Sequence, residues 1–215
     1  MFFNIGDGDR TYLSKLIDSI AHCRPKVIGI DIFFTELKTP KSDSLIALSI
    51  KNSNAVLAAR HNGIRYGNVH QMFLESANHL GYAQSNSDDD FMLTFDPFIQ
   101  HSGTHYYHFA YQIAKIYDQE KAEYFSDKHD GRSVELEYRR LDKQFKVFDF
   151  KDWNFTCSDI EGKIAYLGYL GPSNEDKHFT MARYFDSSSK RNEPDMYGST
   201  IVANEVLMIL GGEND

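Results

Sequence analysis

The segment from Pro25 to Phe34, PKVIGIDIFF, constrains this chain more than any other. Its residues are β-branched, aromatic or small, and they are apolar at successive positions rather than alternate ones. A strand of that kind buries both faces and belongs in the middle of a covered, mostly parallel sheet. One charge interrupts the run, Asp31. A carboxylate inside a buried strand costs free energy unless it is paired or put to use. Asp31 is therefore the first candidate site residue, tying a neighbouring loop through backbone N–H groups or touching a ligand directly.

The flanking sequence supplies the rest of an α/β pattern. Tyr12, Leu13, Leu16, Ile17 and Ile20 predict a helix over 11–22 with Asp9 as its N-cap. Residues 2–5 read as a first strand, closed by the turn Gly6-Asp7-Gly8-Asp9. A helix starting at Ser42 or Asp43 and ending near Lys51 follows, then a strand over 54–60. This order favours parallel strands with right-handed crossovers. Further along, a short helix is expected over 70–79, a strand over 81–84 and a strand over 91–100 broken at Pro97. A core helix is expected over 106–118, a loop over 127–132 and a hairpin from 135–139 and 145–150. An apolar strand ends in the glycines of GKIAYLGYLG at 162–171, and a closing helix runs from Gly198 to Gly211. The expected fold is α/β, with a mostly parallel central sheet, helices on both faces and an added antiparallel hairpin. Residues 1–215 read as a single domain.

Several chemistries are excluded or weakened by the residues. A formal charge of −8 with no Lys/Arg cluster speaks against nucleic-acid binding. His101, His105 and His108 have helical spacing, but Gly103 and Thr104 start the helix too late to keep His101 on its face. Asp88, Asp89 and Asp90 lack the order of a calcium loop and read as a solvated turn, and the polar stretch 187–195 reads as a disordered, exposed loop. The glycines at 162, 168 and 171 make no phosphate loop, and Gly171-Pro172-Ser173 is a turn rather than a nucleophile elbow. No catalytic residue, metal or cofactor is assigned. Cys23 and Cys157 read as small buried hydrophobes, with a single disulfide as the open alternative.

Three pieces in order carry a family resemblance. They are PKVIGIDIFF with the Asp43-led helix and the strand over 54–59, then GKIAYLG with Asp176, then the helix with Gly198, Ala203 and Asn204. Together they resemble the CHASE2 family of extracytoplasmic sensor domains. Two positions depart from its pattern: Val202 stands where many members have His, and Asp176 is followed by KHFTM rather than a Thr-Pro loop.

The resemblance implies an extracytoplasmic sensory domain of a bacterial transmembrane protein. Such a domain binds a small molecule or reports a condition outside the membrane, and relays the signal to a cytoplasmic kinase or nucleotide-cyclase output, with a homodimer as the signalling unit. No apolar run here reaches the ~20 residues that span a bilayer, so the resemblance places membrane spans outside this segment. Ligands of parallel sheets bind beyond the carboxyl ends of the strands, which makes Asp7, Asp31, Asp176 and His178 candidate ligand-binding residues. Asn204 joins them as a buried amide expected to bond the backbone at 171–176. Two other readings stand beside this one. The first is a hydrolase or metal-dependent enzyme using Asp31, Asp176 and His178; the second is a dimerisation scaffold that binds nothing small.

Overall fold

Strand β1 (Phe2–Asn4) leads into α1 (Arg10–His22), β2 (Val27–Ile30), α2 (Pro40–Lys51) and β3 (Ala55–His61). The computed structural model describes residues 1–88, 91–150, 152–171, 176–184 and 193–211. Next come β4 (Tyr66–Gly67), α3 (Gln71–Ser76), β5 (His79–Tyr82) and β6 (Asn86–Asp88). They are followed by β7 (Phe91–Phe95), β8 (Phe98–His101), β9 (Thr104–Tyr107), α4 (Phe109–Tyr117) and α5 (Gln119–His129). The remainder is β10 (Val134–Glu135), β11 (Val147–Phe148), α6 (Cys157–Ile160), β12 (Ile164–Gly168), β13 (Lys177–His178), β14 (Met196–Tyr197) and α7 (Gly198–Ile209).

The central sheet runs β11-β1-β12-β2-β3, with β4 and β5 both pairing β3, and every pair but β3–β4 is parallel. Helices cover both faces, which is why β2 is apolar throughout. Ile28, Ile30, Leu57 and Leu167 point into a core with α1, α2 and α3. Val27, Val56, Ala58 and Tyr166 point into the other core, with α4, α5 and α7. The α/β class, the parallel sheet and the presence of antiparallel hairpins agree with the sequence reading. Asp9 caps α1, accepting from Tyr12 N, and Gly211 takes the left-handed conformation (φ +65°) just beyond α7.

Other expectations need correction. The hairpin over 135–139 and 145–150 does not form: β10 pairs antiparallel with β7, while β11 pairs parallel with β1 at the far edge of the sheet. Alternation marks a half-buried strand without naming its partner. The hairpin near this region is instead β8–β9, turned at Ser102 and Gly103, both with positive φ. It takes up residues 104–107, so the helix expected over 106–118 begins at Phe109, where the His108 side chain accepts from Ala110 N.

The expected loop over 127–132 starts inside α5. That helix buries only Ala122 and Phe125, too few apolar positions to show a period. Helix α2 is capped by Thr39, with Pro40 in its first turn, not by Ser42 or Asp43. Asp43 instead pairs with the buried Arg10 and accepts from Lys38 N. Cys23 and Cys157 form a disulfide across a sequence separation of 134, which corrects the reading of both as free hydrophobes. The chain brings α6 back to the end of α1, a proximity that no local pattern encodes. Asp88 of the expected acidic turn ends β6, while Asp89 and Asp90, the Pro172-Ser173 turn and most of 187–195 lie outside the described residues.

Candidate functional site

A cavity of about 660 Å³ opens beyond the carboxyl ends of β12, β2, β3 and β5. Each strand sends its next residues into the wall: Tyr169 after β12, Asp31 and Phe33 after β2, Arg60 near the end of β3, and Gln84 and Ser85 after β5. The opposite wall is the first turn of α7, with Gly198, Ser199, Ile201 and Val202, and beside it stand Asp176 and His178. A concave site of this size at the carboxyl edge of a parallel sheet is where such folds take small ligands.

Asp31 sits at the centre of the arrangement. Its backbone N–H donates to Leu167 O at 2.9 Å, continuing the β2–β12 ladder by one residue. Its Oδ2 accepts from Tyr166 Oη at 2.8 Å and from Ser199 Oγ at 2.9 Å. Burial pushes the carboxyl up to about 6, the two hydroxyls oppose that shift, and the neighbouring Asp176 carboxylate adds to it. The Tyr166 phenol is held protonated, by burial and by Asp31, so it stays a donor.

Asp176 and His178 are placed by the short β13–β14 ladder, in which Lys177 faces Tyr197 and His178 faces Met196. Gly198 N–H donates to Asp176 O at 2.9 Å, which seats both side chains against the start of α7. Burial raises the Asp176 carboxyl and lowers the His178 imidazole.

Close approach of α7 to the sheet depends on Gly168. A Cβ there would lie 2.5 Å from Ser199 Oγ and 2.9 Å from Ser199 Cβ. Gly168→Ala is therefore expected to push the helix off Asp31 and to cost about 1–3 kcal/mol. A urea midpoint equal to that of the unmodified protein would show that α7 does not need this contact.

Asp31, Asp176 and His178 thus share one cavity. Asp7 is exposed in the turn after β1 and does not line it. Asn204 is fully buried, but its partners differ from those expected. It accepts from the N–H groups of Arg139 and Arg140, both at 2.8 Å, and donates to Arg140 O and Thr200 O, both at 2.9 Å. The amide pins the segment after β10 to α7, because Asn204 lies on the face of the helix turned away from the cavity. Asn204→Ala strands those backbone groups, and an increase of about 2–3 kcal/mol in the ease of unfolding is expected; an unchanged urea midpoint would show that water replaces the amide.

Sequence reasoning passed over Tyr166, Ser199, Arg60 and Glu205. Glu205 had the same signal as Asp31, a charge inside an apolar run. It is 0% exposed on α7, accepts from Ser85 Oγ at 2.7 Å, and has its Oε2 3.5 Å from His108 Nδ1. Burial pushes the Glu205 carboxyl up to about 8 and the His108 imidazole down to about 3. The pair is a neutral acid beside a neutral imidazole, not an ion pair. Since Ser85 lines the cavity, α7 touches the site twice: through Ser199 at its first turn and through Glu205 behind the wall.

Among the described residues no group of His, Cys, Asp or Glu is arranged to hold a metal ion, and no helix is long and apolar enough to cross a membrane. The family model of the CHASE2 domain matches residues 7–214. No curated protein and no solved structure matches the chain.

Proposed function

Because the chain belongs to the CHASE2 family, a family of sensor domains and not of enzymes, we propose that it is the extracytoplasmic ligand-binding part of a bacterial transmembrane signalling protein. The observation that carries this reading is the double attachment of α7 to the cavity. A molecule bound against Asp31 competes for the carboxylate that Ser199 holds, so occupancy biases the position of the helix. Two arrangements of α7 with different affinity for the ligand suffice for a population shift. The helix passes that shift to a kinase or nucleotide-cyclase output, with a second copy of the chain as the partner that reads it.

The Cys23–Cys157 bond supports the extracytoplasmic side of this reading, since disulfides persist in oxidising compartments. Trapping thiols at lysis and counting labelled cysteines tests it directly. Unlabelled, paired cysteines in protein taken from its native cells are the expected result; two free thiols would place the domain in a reducing compartment and end the extracytoplasmic reading. Amide hydrogen exchange tests the transmission step. Exchange within α7 should change when the cavity is filled, and an α7 indifferent to occupancy would exclude it as the relay.

A further inference from the structure

Among the described residues, the acids on the cavity wall have no cation paired with them. Asp31 and Asp176 both line it, and among the described residues neither enters an ion pair. The partners of Asp31 Oδ2 are hydroxyls, which stabilise a carboxylate without neutralising it. Two aromatic rings, Phe33 and Tyr169, line the same space.

Among the described residues, the wall also carries a cation that the acids do not use. Arg60 is exposed and lines the cavity from β3, with its guanidinium 5.6 Å from the centroid of the Phe33 ring. Among the described residues the Arg60 guanidinium has no acid partner, and its N–H fork suits a carboxylate or another planar anion. A simple cation would leave Arg60 opposed to it. A simple anion would meet Asp31 and Asp176. A molecule bearing both charges answers both ends, and a cavity of about 660 Å³ holds an organic molecule rather than a bare ion.

We infer that the cavity takes a small zwitterion, its ammonium held by Asp31 and Asp176 beside the aromatic rings and its acidic group held by Arg60. The inference deepens the sensor reading, since it names the ligand class of the same cavity. At neutral pH the Asp31 carboxyl, pushed up to about 6 by burial, is mostly ionised, and an ammonium nearby would draw it further toward the charged form.

Calorimetric titration with four-carbon probes that differ only in their end groups tests the class. The probes are γ-aminobutyrate, putrescine, succinate and 1,4-butanediol, with Mg²⁺ as a fifth titrant. Binding of γ-aminobutyrate in preference to the other four is expected. Arg60→Gln should weaken it about tenfold or more, the loss of one charge-assisted pair, while Arg60→Lys retains part of the affinity. Asp31→Asn should weaken it at least as much. Because Asp31 also ties Tyr166 and Ser199, the exposed Arg60 supplies the variant that keeps its fold. Preference for succinate, putrescine, the diol or Mg²⁺, binding of none of them, or γ-aminobutyrate binding indifferent to Arg60→Gln would each overturn the zwitterion.

Hydrogen exchange in α7 separates this failure from failure of the sensor reading. If another probe binds and alters α7, the ligand class is wrong and the sensor stands. If γ-aminobutyrate binds and α7 does not respond, the class stands and the relay falls.

Discussion

Removing the Cys23–Cys157 bond is expected to lower the unfolding free energy by about 5 kcal/mol, the chain-entropy value for cysteines 134 residues apart. The bond joins the end of α1 to the start of α6, and the loop it closes holds the parallel strands β2, β3, β5 and β11, while β1 and β12 lie outside it. Without it the unfolded chain regains the freedom to separate those ends, while the folded chain loses little, because Cys23 packs in the α1–α3 core in either state. A urea titration of the Cys23→Ser/Cys157→Ser protein, set beside the unmodified protein with and without reductant, measures the effect. Reductant should bring the unmodified protein close to the double variant and leave the variant itself unmoved. Coincident midpoints for oxidised and reduced protein would show that the bond contributes nothing to stability.

The second large effect is a pH dependence centred on Glu205. Its carboxyl moves from the ordinary 4.5 up to about 8, chiefly through burial and also through the charge of Asp31, while the Ser85 hydroxyl opposes the shift. The groups around it are His108 from the start of α4, Asp31 beyond β2, and the Tyr82, Tyr138 and Tyr166 phenols, whose ionisation Glu205 disfavours. Between pH 4.5 and about 8 the folded protein keeps the Glu205 proton that the unfolded chain has released. Stability from this group is therefore highest below 4.5 and falls with rising pH, by about 1.4 kcal/mol per unit across the window.

Glu205→Gln keeps an acceptor for Ser85 and removes the ionisation. The variant should match the original near pH 4.5 and exceed its stability by about 4–5 kcal/mol at pH 9. Comparing the two proteins cancels opposing titrations of distant groups, such as the Met1 amino group, which burial lowers to about 6. Parallel stability curves from pH 5 to 9 would mean that Glu205 ionises like a solvated carboxyl.

That dependence bears on the proposed sensing. Asp31 and Glu205 hold protons at pH values where ordinary carboxyls do not, and both lie where α7 meets the cavity. Ligand charge and helix position are thereby linked through the same acids.

The sequence by itself determined the features that rest on local pattern. Uninterrupted apolar residues at 27–30 required a strand covered on both faces, and the structure supplies α1–α3 on one side and α4, α5 and α7 on the other. Asp9 and Gly211 marked helix ends because capping is chemistry of adjacent residues. Asp31 stood out because a lone charge in a buried run carries a desolvation cost that something must answer. The same logic applied to Glu205 would have found the second acid.

Only the tertiary structure decided which distant pieces meet. Asn204 holds Arg139 and Arg140 rather than the loop near Gly171, Cys157 returns to Cys23, and β11 pairs with β1 instead of forming a hairpin. Helix α5 formed where the sequence shows no apolar period, because Ala122 and Phe125 bury against the core that α4 begins. Local propensity and capping act over a few residues, whereas pairing partners are chosen by burial summed over the whole chain, and that sum has no local signature.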